Sequence, residues 1–121
     1  MNVTTKYARN RRMYLDGNFR INTNGLPELS LINFDIVNNR MDTTAAELSN
    51  FQFQLLKGII RFAEKINVYK IDYFATDSDS QQKGAYVSLK QKAEICKTLG
   101  FEEFTHDLDR VQKHFVKKIL N

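Results

Sequence analysis

The residues that could move a proton or a chemical group are few and scattered. Asp35, Asp72, Glu102 and Glu103 fall in or beside apolar stretches, where a carboxylate serves as a general base once its surroundings lift its pKa. Asp35, between Phe34 and Ile36, is the most telling of them. Turned inward it titrates nearer neutrality; turned outward by strand alternation it is an ordinary surface acid. Cys96 is the only cysteine. Its thiol could donate a proton, although a lone cysteine on the apolar face of a helix is more often a small core residue. His106 and His114 stand in no ligand or triad spacing and read as surface histidines. Asp77-Ser78-Asp79-Ser80 alternates oxygens like a calcium loop, but it lacks the glycine and closing glutamate of an EF-hand and reads as a solvated turn.

The elements that must position these groups follow from periodicity. Met1 to Arg12 is polar, basic and aperiodic, as for a loose N-terminal arm. Met13 to Ile21 reads as a strand, with Asp16-Gly17-Asn18 offering a turn that would fold it into a short hairpin. Leu29 to Val37 is an apolar run closed by Asn38-Asn39, as for a central strand. Thr44-Ala45-Ala46-Glu47 is a capping box. After it, Leu48, Phe51, Leu55, Ile59, Phe62 and Ile66 recur at three- and four-residue steps, and Leu56, Ile60 and Ala63 widen the stripe. A long helix over about 44–66 must therefore lay a broad face on a sheet, and Gly58 inside it suggests close packing there.

Val68 to Ala75 alternates Tyr69, Ile71 and Tyr73 against Lys70, Asp72 and Phe74, a strand pattern. A second helix over about 85–98 carries Tyr86, Leu89, Ala93 and Cys96 on one side, and Gly100 is placed to end it in the left-handed conformation. Phe101 to Thr105 reads as a short strand. Leu108, Val111, Phe115, Val116, Ile119 and Leu120 fit a last helix, with Asp107 and Asp109 at its start and Lys117 and Lys118 at its end. The fold class is α/β (α+β), one central mixed sheet packed by helices.

Bulk properties narrow the classes. A chain of 121 residues, 42% hydrophobic and 26% charged, has the composition of one globular domain over 1–121. A single cysteine excludes an internal disulfide and, with no apolar run of signal or membrane length, points to the cytoplasm. The net charge of +4 gathers at the ends, in Lys6, Arg9, Arg11, Arg12 and Arg20 and in Lys113, Lys117 and Lys118. Such clusters either solvate a small protein or meet an anionic partner; Tyr7, Arg9, Arg11, Arg12 and Tyr14 interleave charge with rings as nucleic-acid binders do.

The order strand, long helix, strand, shorter helix ending in Leu99-Gly100-Phe101, then a short strand resembles the second half of a GNAT-type N-acetyltransferase. Lys65-Ile66-Asn67-Val68-Tyr69-Lys70-Ile71 and Ile95-Cys96-Lys97-Thr98-Leu99-Gly100-Phe101-Glu102 are similar to that family's passages, and Phe115-Val116-Lys117-Lys118-Ile119-Leu120 looks like its terminal strand, against the helical pattern. The resemblance covers roughly the last 90 residues. It implies acetyl-CoA as donor and an amine as acceptor, with the pyrophosphate at the start of the long helix, near Ser49, Asn50, Phe51 and Gln52, and the CoA arm near Asp77 and Ser78. It puts Cys96 where the family often has a proton-donating tyrosine and leaves Asp35 as the candidate base.

This chain departs from the family where phosphate should bind. Glu47-Leu48-Ser49-Asn50-Phe51-Gln52 contains no glycine, and Glu47 repels an anion. A divergent acetyltransferase, a non-catalytic GNAT-like module contacting a protein or nucleic acid, and a nucleic-acid binder are the three expectations. The short N-terminal half names no acceptor, and it leaves room for a partner subunit, as in a homodimer, to complete the fold.

Overall fold

The computed structural model describes residues 2–6, 11–38, 44–76, 85–104 and 112–120, with the backbone alone at 2–6, 11–14, 33, 35–38, 45, 85 and 86. The order of elements is β1 (Asn2–Lys6), β2 (Arg11–Ile21), β3 (Pro27–Asn38), α1 (Ala45–Lys65), β4 (Lys70–Thr76), β5 (Ala85–Tyr86), α2 (Leu89–Thr98), β6 (Glu102–Glu103) and β7 (Gln112–Lys118). This is the expected mixed α+β domain.

Each helix is defined by side chains at its start and backbone geometry at its end. Thr44 Oγ1 accepts from the Glu47 amide at 3.2 Å, satisfying one of the first-turn donors. Ser88 and Gln91 form a reciprocal capping box, Ser88 Oγ accepting from the Gln91 amide at 3.2 Å and Gln91 Oε1 from the Ser88 amide at 2.9 Å. That box starts α2 four residues later than expected, because Ala85 and Tyr86 are strand. Both helices end in the Schellman arrangement. The Val68 amide donates to Ala63 O at 3.0 Å and the Phe101 amide to Cys96 O at 2.9 Å. The left-handed residue is Asn67 (φ 58) in one and Gly100 (φ 88) in the other.

The sheet has the order β1-β2-β3-β4-β7-β6, with β5 set against β3. Among the described residues only β3 and β4 are parallel, and α1 is the crossover between them. Several expectations are corrected. Asn2–Lys6 is not a loose arm but an edge strand, paired from Asn2↔Asp16 to Lys6↔Arg12. Asp16-Gly17-Asn18 is not a turn: β2 runs straight through it, with a register shift at Asp16/Gly17. A Cβ on Gly17 would make only ordinary contacts, 3.4 Å from Leu31 and 3.5 Å from Leu29, so this glycine marks the register shift rather than a tight approach.

The expected last helix is strand where the structure describes it, Gln112–Lys118. It supplies the second edge of β4, pairing from Lys70↔Lys118 to Thr76↔Gln112. Without it a buried strand would leave a row of unsatisfied backbone groups, a cost that outweighs weak helical periodicity.

The core lies between the sheet and the two helices. From α1 come Leu48, Leu56, Ile60 and Ala63, with Leu29, Leu31, Phe34, Ile71, Tyr73, Ala75 and Phe115 from the sheet and Leu89, Ala93, Ile95 and Cys96 from α2. The buried stripe of α1 therefore runs Leu48-Gln52-Leu56-Ile60-Ala63, rotated from the expected one, and Phe62 and Ile66 stay 51% and 41% exposed. Gly58 is exposed, and an added Cβ would meet nothing within 4 Å, so close packing is not its role. Among the described residues no helix is long and apolar enough to cross a membrane.

Candidate functional site: an opening in the sheet

Ile32 marks where the sheet comes apart. Gly17 pairs with Leu31 and Asp16 with Asn33, so Ile32 is the extra residue of a bulge in β3. Immediately before it, pairing with β4 ends at Leu31↔Tyr73, although β3 continues to Asn38 and β4 to Thr76. The far end of β3 is taken up by β5, through Val37↔Tyr86 and Asn38↔Ala85. Between these limits β3 and β4 diverge.

Buried polar atoms gather at the divergence. The Tyr73 hydroxyl donates to Phe34 O at 3.1 Å and accepts from Gln52 Nε2 at 3.1 Å; Nε2 also points at Phe34 O, 3.4 Å away. Gln52 is wholly buried, yet its Oε1 has no partner, and one turn earlier Ser49 Oγ is a second buried atom with none. A buried acceptor left unsatisfied costs about 1–3 kcal/mol. Ser49 also lines a hollow of about 340 Å³ between α1 and α2, with Ala46, Phe53, Gln91, Glu94 and Ile95. At the end of β4, the buried ammonium of Lys92 donates to Thr76 O at 2.8 Å.

The proposed phosphate residues do not act as a set. Gln52 points into the core, Phe51 packs against it, Ser49 faces the hollow and Asn50 is exposed. Glu47 stands exposed in the first turn and Glu94 joins the hollow, so the anionic character expected from the sequence is present. Cys96 is fully buried, and desolvation pushes its pKa from 9.0 up to about 12. A thiol so weakly acidic is a poor proton donor to a leaving thiolate, and its place is in the core. Asp35 stands opposite Tyr14 in β3, where the structure gives backbone only. Asp77, Ser78, Tyr7, Arg9 and His106 lie outside the described residues, while Arg11 and Arg12 lie in β2 opposite Asn38 and Val37.

The other face of the sheet holds Asp72, one of the candidate bases, together with a histidine that reads from the sequence as a surface residue. Tyr73 meets Gln52 of α1, and α2 packs beside α1, so both helices share one face. Alternation turns Asp72 and Phe74 to the opposite face. There His114 Nε2 lies 2.7 Å from Asp72 Oδ1, and Lys70 Nζ lies 3.4 Å from Oδ2. A carboxylate only accepts, so in this contact Nε2–H is the donor to Asp72. Phe74 stacks on the imidazole at 4.4 Å and 10°, and Phe104 lies 6.3 Å away. Phe74 is the first β4 residue past the last pair with β3, which sets the His-Asp pair beside the opening.

A further ion pair flanks this group. Glu28 is buried, accepting from Arg20 Nη2 at 3.0 Å and Asn22 Nδ2 at 3.2 Å. Desolvation raises its pKa, but those bonds and the charges of Lys70 and Arg20 outweigh it, and the net shift is downward from 4.5. Glu103 pairs with Lys113 at 3.5 Å. Among the described residues no group of three His, Cys, Asp or Glu could hold a metal ion. No protein-family model matches the chain, and no curated protein matches it.

Proposed function

We propose that this chain is a divergent, GNAT-like N-acetyltransferase that passes an acetyl group from acetyl-CoA to an amine. The observation that carries the reading is the opening after Leu31↔Tyr73, with an uncommitted buried acceptor on its helix side and a His-Asp pair on the other. A pantetheine arm is an extended chain with two amide donors, which suits Gln52 Oε1 and an unpaired stretch of β3 edge. The hollow between α1 and α2 borders Ser49, one turn before Gln52 on the same helix.

In this reading His114 takes a proton from the ammonium of the acceptor, and Asp72 holds the ring and stabilises its charge. The amine nitrogen forms the amide bond as the carbon–sulfur bond breaks. Tyr73 gives its hydroxyl proton to the leaving thiolate and regains one from the nitrogen, replacing the acid that Cys96 does not supply. Ionic recognition of the pyrophosphate is weak, because Glu47 stands where the phosphates would lie.

A second reading, a GNAT-like module that works by contact alone, is favoured by the Tyr73 hydroxyl, which bridges to Phe34 O and partly fills the opening. Isothermal titration with acetyl-CoA at low salt, beside Glu47→Gly, separates the two. Saturable binding that tightens in the variant supports the enzyme. No heat from either protein supports the contact module.

A further inference from the structure

The sheet face turned away from the helices contains a hollow of about 270 Å³ lined by Gly100, Glu102, Phe104, Val116 and Lys118. Glu102 is opposite Val116, and the Phe104 amide donates to His114 O at 2.7 Å. Alternate residues of a strand share a face, so His114, Val116 and Lys118 form one column along β7. The imidazole therefore stands at the Phe104 end of the hollow and Lys118 at the Gly100 end.

Most charges on this face are already committed. Asp72 is held by His114 and Lys70, and Glu28 by Arg20. Among the described residues, Glu102 and Lys118 form no ion pair and no side-chain hydrogen bond, and both border the hollow. Their rows are two residues apart along β7, about 7 Å. One free carboxylate, one free ammonium, an exposed phenyl ring and a valine thus face a common space.

We infer that this hollow binds a small zwitterionic amine with an apolar side group, such as an aromatic amino acid or dipeptide. The ligand's ammonium lies against Glu102 and the Phe104 ring, its carboxylate against Lys118, and its apolar group over Val116 and Phe104. At the Gly100 end the Lys117 ammonium lies 2.8 Å from where a Cβ on Gly100 would stand, so a second positive charge borders the carboxylate's place. As the acceptor of the acetyl transfer proposed above, the ligand presents its amine beside His114, and that role rests on the acetyltransferase reading. The binding itself does not.

The test is an NMR titration of the full chain, following the His114 ring and Phe104 ring signals, with L-phenylalanine, phenethylamine and 3-phenylpropionate as probes. L-Phenylalanine is expected to give saturable shifts with a Kd of about 1 mM or tighter, and each probe lacking one charge to bind about fivefold more weakly. Glu102→Gln should remove the advantage of the amine, and Lys118→Met that of the carboxylate; both side chains are exposed, so neither change threatens the fold. No saturable shift with L-phenylalanine, or equal affinity for all three probes, overturns the inference. No acyl donor is present in the titration. Binding of L-phenylalanine by a protein that does not bind acetyl-CoA would keep this site and retire the acetyltransferase; acetyl-CoA binding without L-phenylalanine binding would do the reverse.

Discussion

His114 and Asp72 meet at 2.7 Å from adjacent strands, 42 residues apart in sequence. The antiparallel register of β4 and β7 makes that contact, and Phe74 stacked on the ring fixes the imidazole plane. If this pair is the base of an acetyl transfer, His114→Ala should lower the rate of amide formation about a hundredfold or more. Acetyl-CoA affinity should stay unchanged, because the proposed donor contacts, Gln52 and Ser49, belong to the helix face of the sheet. Equal losses in rate and affinity would assign His114 a structural role instead.

Gly58 is an exposed residue in the interior of α1 with open space around it. Gly58→Ala should raise stability by about 1 kcal/mol, since alanine restricts the unfolded chain and favours helix. Urea denaturation checks this. An unchanged or lower midpoint would mean that the position is packed after all.

Cys96 should resist alkylation in the folded protein and react once it is unfolded, as mass spectrometry would show. Its folded pKa, about 12, lies above the ordinary 9.0. The folded state therefore holds the proton more tightly, and the thiol's contribution to stability is complete below pH 9 and lost as pH rises towards 12. Cys96→Ala should flatten that alkaline decline; an unaltered decline would contradict the assignment.

Glu28 acts at the acid end. Its folded pKa is lowered below 4.5, so its contribution is present above that pH and fades as pH falls through the folded value. Glu28→Gln should lower stability at neutral pH and make the acid decline shallower. Identical pH dependence in the two proteins would show that the bonds from Arg20 and Asn22 contribute nothing.

Local chemistry was legible in the sequence, and long-range pairing was not. Thr44 and Gly100 announced one helix start and one helix end because capping uses residues within one turn of each other. Asn67 hid the other end, since asparagine adopts the left-handed conformation less conspicuously than glycine. Val116 and Phe115 looked helical because their neighbours in β4 and β6 are invisible in a local window. Asp72 stands in the sequence as a candidate base and His114 as a surface histidine, for nothing in their spacing brings them together. Gln52 read as a phosphate contact by resemblance, while its burial against Tyr73 depends on how α1 is rotated on the sheet.

If the proposed donor site is the opening after Leu31↔Tyr73, its contacts are with the pantetheine arm and not with the pyrophosphate. Calorimetric titration with acetyl-pantetheine, which has no phosphates, beside acetyl-CoA tests this most directly. The account predicts that acetyl-pantetheine binds at least as tightly as acetyl-CoA, and that Gln52→Leu, which removes the unpartnered acceptor, weakens both while leaving the fold intact. Absence of acetyl-pantetheine binding, or affinity indifferent to Gln52→Leu, would contradict it.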